Sequence, residues 1–223
     1  MLPKHLRRQP HPVNPPNNPR VIVGLGNPGV EYAITRHNVG QRVVADAAVE
    51  WSIPLHFNGL TQRGVGRFHG HSVVLAIPVT FMNMSGEAVE ELVTAHDVQA
   101  RDVIVVHDDL DLPGGCLRIR PGGGTGGHRG LQSIVMALGT EDFVRLKIGI
   151  GRPAPGVDPA DYVLTPFTPA EREDLQPVLT RAVEGLACLV THDVQEAMNR
   201  FNRRLPGVSH ETAKEKDPRE DAV

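Results

Sequence analysis

Four polar residues stand where a sheet-based protein keeps its reactive groups. Asn27 and His37 lie in the stretch 24–40, GLGNPGVEYAITRHNVG; Asn83 follows Pro78; Asp108 belongs to the run His107-Asp108-Asp109-Leu110-Asp111. The runs Val21-Ile22-Val23 and Val103-Ile104-Val105-Val106 precede His37 and Asp108 and read as buried strands, and side chains at the ends of neighbouring core strands can meet. A loop histidine alone is more often a surface residue than a catalyst. If Asp108 accepts a hydrogen bond from one ring nitrogen of His37, the other nitrogen becomes a directed base near neutral pH. No protein nucleophile offers itself: Met84-Ser85-Gly86 lacks the first glycine of a nucleophile elbow, Cys116 lies among arginines without a base, and Cys188 falls in an amphipathic pattern. The group attacked would therefore be reached by water, with the amides of Asn27 and Asn83 holding that water or donating to a developing oxyanion.

Other patterns suggest sites and differ in strength. Gly24-Leu25-Gly26-Asn27-Pro28-Gly29 matches a dinucleotide fingerprint. That site needs a helix to begin within the glycines, whereas Pro28 removes a donor there and the helical pattern starts some ten residues later. The glycines are better explained by a tight turn. The run Gly122-Gly123-Gly124-Thr125-Gly126-Gly127 lacks the Walker ending, so it is either a strand-to-helix connection or, with Arg118, Arg120 and Arg129 nearby, a cradle for phosphate. Neither His69 with His71 nor the acidic run at residues 107–111 has zinc spacing, and no metal is expected.

The net charge is −3, which excludes a protein coated evenly in positive potential. Between residues 112 and 152, however, Arg118, Arg120, Arg129, Arg145, Lys147 and Arg152 face only Glu141 and Asp142. Such a patch fits an anionic ligand or, alternatively, a solvated face. A hydrophobic content of 40% over 223 residues fits one core, and two cysteines fit a reducing cytoplasm. No apolar run is long enough to span a membrane.

The chain divides into a basic, proline-rich extension over residues 1–19, a folded domain over 20–204 and a charged tail over 205–223, both ends expected to be disordered. Within the domain, Asn38 is expected to cap a helix running to about Glu50, and residues 62–69 and 72–77 to form a hairpin turned at Gly70-His71. Ser85 is expected to cap a second helix, and a third to follow from His128. Thr168-Pro169-Ala170-Glu171 forms a capping box, and Pro177 should kink or restart the helix that follows. Strands alternate with helices except at the hairpin, which favours a mixed over a purely parallel sheet.

Five separated stretches, GLGNPGVEYAITRHNVG, PVTFMNMSG, VHDDLDLPGG, GGGTGGH and RLKIGIGRP, together resemble the bacterial-type peptidyl-tRNA hydrolase family over roughly residues 21–202. The resemblance implies a single α/β domain, a twisted mixed sheet flanked by helices. It also implies hydrolysis of the ester joining a peptide to the 3′ end of tRNA, with no metal or organic cofactor. The partner would be peptidyl-tRNA through its acceptor stem and 3′ end, and the protein a cytoplasmic monomer without membrane or obligate protein partner. By matching position, His37 resembles the family's base, Asp108 its orienting partner, and Asn27 and Asn83 its positioning amides. Tyr32, Asn38 and Met82 would line the cleft. Arg118, Arg120, Gly126, His128 and Arg129 would serve substrate and tRNA. One position departs: the family commonly has Asn, associated with substrate positioning, where this chain has Arg129. Arginine has donors but no acceptor, so a contact to a tRNA phosphate is expected there instead.

Overall fold

The computed structural model describes residues 19–202. The expected extension (apart from Pro19) and tail lie outside the described residues. Seven strands, β1 (Arg20–Gly24), β2 (His56–Asn58), β3 (Thr61–Phe68), β4 (His71–Pro78), β5 (Val103–Asp109), β6 (Leu117–Pro121) and β7 (Val144–Gly149), form one sheet in the order β2-β3-β4-β1-β5-β7-β6. The helices are α1 (Val39–Glu50), α2 (Ser85–Ala95), α3 (Arg129–Leu138), α4 (Pro159–Val163), α5 (Pro169–Thr191) and α6 (Val194–Phe201). β1 runs parallel to β4 and β5, and β5 to β7, whereas β2, β3 and β6 pair antiparallel. The sheet is mixed, as the hairpin implied.

β1 is central because its side chains can be buried on both faces. Ile22 packs with Val44, Ile104, Leu146 and Leu179 on the face covered by α1, α5 and α6. Val21 and Val23 pack with Val105, Leu131, Leu92 and Phe143 on the face covered by α2 and α3. Each such fully buried Val or Leu stabilises the fold by roughly 1.5–3 kcal/mol relative to exposure. The parallel strands β1, β4 and β5 end at one edge of the sheet, so loop 25–38, loop 79–84 and the end of β5 converge there.

Several local expectations are corrected. Asn38 precedes α1 but makes no side-chain capping bond, because its amide is used elsewhere. Ser85 is the first residue of α2 rather than its cap, and its hydroxyl donates to the Met82 carbonyl of a preceding 3-10 turn. The hairpin turns at His69-Gly70, one residue early, with φ of 46° and 85°, since a two-residue hairpin turn favours positive φ at both central positions. Gly24 serves no tight turn: it lies in β1 where a Cβ would meet the Gly40 carbonyl of α1 at 2.4 Å. Gly40 in turn lets α1 approach β5, where a Cβ would meet the Val106 carbonyl at 2.1 Å. Pro177 neither divides nor restarts α5, which runs through it. It sits on the exposed side, where water can take the carbonyl its ring leaves unpaired, while Leu175, Val178 and Leu179 remain in the core. β2 and α4 had no sequence expectation; both are short, and Asp158 caps α4 ahead of Pro159.

Candidate active site

His37 occupies a 3-10 turn, Arg36–Asn38, between β1 and α1, and Asp108 lies near the end of the neighbouring β5. The imidazole Nδ1 stands 3.0 Å from both oxygens of Asp108, and both residues are buried. An ionised carboxylate only accepts, so its contact assigns the proton to Nδ1 and leaves the lone pair on Nε2. His37 Nε2 has no partner among the described residues. This is the pairing that residue type and strand placement implied.

Asp108 carries a second imidazole. His128, the residue before α3, accepts the backbone N–H groups of Gly130 and Leu131 at Nδ1 (3.1 and 3.3 Å). Its proton is thereby on Nε2, which donates to Asp108 Oδ1 at 3.0 Å. Both ring nitrogens of His128 are thus engaged by protein. A Cβ on Gly130 would lie 2.5 Å from Met82 Sδ and 3.1 Å from His128 Cε1, so only glycine lets α3 start this close. Burial pushes the Asp108 carboxyl up, but the charges and hydrogen bonds of His37 and His128 outweigh it and hold the group well below the usual carboxylate range. His107 is buried beside this pair, its Nδ1 bonded to the Asp108 carbonyl. Burial, aided by His128 and opposed by Asp108, holds its ring well below the ordinary imidazole value.

His37, Asp108 and His128 place potential ligand atoms within 4.8 Å of one another. The two nitrogens facing Asp108 both carry protons in the hydrogen-bond pattern above. The cluster is thereby satisfied as a carboxylate held by two N–H donors, a different arrangement from a cage of lone pairs.

Asn27 and Asn38 hold each other across the loop. The Asn38 amide accepts from Asn27 N (2.9 Å) and donates to Asn27 O (2.8 Å) and to Gln41 Oε1 (3.1 Å). Asn38 is only 2% exposed, which corrects the expectation that it lines the cleft: it lies beneath, fixing the main chain of Asn27. Asn27 Oδ1 accepts from Met82 N (2.8 Å), and its Nδ2 has no protein partner among the described residues. Loops 25–38 and 79–84 are thereby joined. Met82 is buried, Tyr32 half-buried, and Asn83 exposed one residue beyond the held Met82. Exposed apolar side chains stand on the same two loops: Val30, Ile34, Phe81 and Met84.

The basic residues are a separate group. Arg118 and Arg120 point the same way from edge strand β6 and are exposed. They pair in register with Lys147 and Arg145 of β7. Arg145 is fully buried and donates to the Gly124 carbonyl, fastening the glycine-rich loop; Lys147 pairs with Asp109 at 2.7 Å. Gly126 is exposed with φ of 58°, and Arg129 is exposed at the first position of α3 with no protein partner among the described residues.

Sequence reasoning missed the second imidazole on Asp108, the Asn38 clamp and the bonds of Arg36 described below. The sequence placed a helix from His128 but neither its capping bonds nor its bond to Asp108. The other contacts join residues with no shared spacing.

A family model described as peptidyl-tRNA hydrolase matches residues 21–210. Peptidyl-tRNA hydrolase of Dehalococcoides mccartyi strain BAV1 is 47% identical over 187 residues, 82% of this chain and 99% of that protein. That of Bacillus subtilis strain 168 is 44% identical over 188 residues, 83% of this chain and 99% of its own. The crystal structure of peptidyl-tRNA hydrolase from Acinetobacter baumannii is 36% identical and superposes with a TM-score of 0.81, covering 86% of this chain and 99% of that one. The family model and these likenesses span nearly the whole described domain, and the chain belongs to the peptidyl-tRNA hydrolase family.

Proposed function

We propose that this protein hydrolyses the ester between a peptide and the 3′ end of tRNA, releasing free tRNA for reuse in translation, with His37 as the base. The observation that carries the reading is the His37 Nδ1–Asp108 hydrogen bond, which leaves Nε2 open as an acceptor. His37 Nε2 takes a proton from water as the water oxygen bonds to the ester carbonyl carbon. The tetrahedral intermediate then collapses with cleavage of the ester C–O bond, and the imidazolium returns the proton to the departing 3′ oxygen. Asn27 Nδ2 and the exposed amide of Asn83 serve the water or the oxyanion. His128 holds Asp108 ionised and oriented. Tyr32 and the exposed apolar residues of the two loops border the peptide, with Met82 buried beneath them.

Arg118 and Arg120 present exposed cations on β6, and Gly126 and Arg129 are exposed in the glycine-rich loop and at the start of α3. Contacts to phosphate carry affinity without sequence, which suits an enzyme that accepts many tRNAs. The reading includes a monomer acting in the cytoplasm over a catalytic domain of residues 20–204, with no metal, cofactor or obligate protein partner. Among the described residues, no helix is long and apolar enough to cross a membrane. The test is turnover of an N-blocked aminoacyl-tRNA: deacylated tRNA should accumulate at a rate unchanged by excess chelator. Absence of turnover, or its loss on chelation, would contradict the reading.

A further inference from the structure

Among the described residues the His37 side chain hydrogen-bonds only to Asp108 and otherwise meets the His128 ring at 4.8 Å, so its aim depends on where its turn is held. One mooring is Asn38 on Asn27; the other is Arg36. The Arg36 backbone N–H donates to the Thr165 carbonyl, and Thr35 bridges Pro166. The Arg36 side chain, 5% exposed, runs away into the segment between α4 and α5. Its Nη1 donates to Thr165 O (3.1 Å), Thr165 Oγ1 (2.6 Å) and Pro166 O (2.7 Å). Its Nη2 donates to Glu171 Oε1 and Oε2 at 2.8 and 2.7 Å. The guanidinium also lies over the rings of Tyr162 (4.3 Å) and Phe167 (5.2 Å). Glu171 is itself fixed, because Oε2 accepts the Thr168 N–H (2.7 Å) within the capping box of α5.

We propose that Arg36 and Glu171 are positioning residues that set the aim of His37 on Asp108. A largely buried ion pair adds little stability over apolar packing, whereas a guanidinium held by fixed acceptors sets an angle and a distance. The contacts close a circuit. Asp108 is carried by β5; the sheet is packed against α5 through Val178, Leu179, Ala182 and Leu186; α5 begins at the box that contains Glu171; and Glu171 holds Arg36, the neighbour of His37. Histidine and carboxylate, 71 residues apart in sequence, are thus referred to one rigid body from both sides. Loosening the Arg36 side chain leaves the turn on its backbone bonds to Thr165 and Pro166 and on the Asn38 mooring, and lets Nε2 shift relative to the water. A misplacement near 1 Å can cost on the order of 10²-fold in rate.

This inference rests on His37 being the base, so the experiment carries a control for that reading. Glu171→Gln, Glu171→Ala and Arg36→Lys are compared with His37→Ala for kcat, KM, tRNA binding and thermal melting. Glu171 is about a third exposed, so its variants are expected to fold even if those of Arg36 do not. The expected result is a kcat lowered about threefold in Glu171→Gln and about tenfold or more in Glu171→Ala and Arg36→Lys, with KM and tRNA binding within about twofold. The low-field NMR signal of the His37 Nδ1 proton should broaden in step with kcat. A Glu171→Ala protein that melts earlier but keeps wild-type kcat and an unchanged proton signal would overturn the proposal and leave the base assignment standing. Full activity in His37→Ala would overturn both.

Discussion

Asp108 is the residue on which the site's charge depends. It is buried, yet two imidazole N–H groups at 3.0 Å keep it ionised. Its carboxyl is depressed in the folded protein, so its contribution to stability is complete above the unfolded value near 4 and is lost as pH falls below it. Asp108→Asn removes the charge and turns one donor toward a donor. It should lower kcat on the order of 10²-fold or more and cost about 1–3 kcal/mol at pH 7. The stability difference from wild type should shrink below pH ~4, and denaturant titrations at pH 7 and pH 3 check this. A difference that grew on acidification would contradict the assigned bonds.

Among elements, β6 is the strand that carries exposed cations at the edge of the sheet. Leu117 and Ile119 bury their side chains, whereas Arg118 and Arg120 stay exposed opposite Lys147 and Arg145, which Asp109 and the Gly124 carbonyl already hold. Arg118→Ala and Arg120→Ala should each flatten the dependence of log tRNA affinity on log salt by about 0.7–0.9, and Arg129→Asn should do the same if its exposed guanidinium reaches a phosphate. An unchanged slope in filter binding across salt concentrations would remove that residue from the interface. These elements were largely legible in the sequence, because apolar runs, the Thr168–Glu171 box and the alternation of β6 are local patterns. Asn38 and Ser85 misled for a shared reason: each has cap-type chemistry, but a nearer loop carbonyl or amide claims the side chain.

At the scale of the whole molecule, loops 25–38 and 79–84 and the end of β5 meet at one end of a mixed sheet, and α5, on the same face as α1, reaches that end through Glu171. The pairing of His37 with Asp108 could be inferred from strand ends. The bond from His128 to Asp108, 20 residues apart, and the fork from Arg36 to Glu171, 135 residues apart, could not, since tertiary packing alone brings them together. The central claim is that the open nitrogen of His37 draws the proton from water. His37→Ala, assayed in parallel for ester cleavage and for tRNA binding, tests it most directly. Cleavage should fall at least about 10²-fold while affinity stays within about twofold; retained cleavage, or equal loss of both, would contradict it.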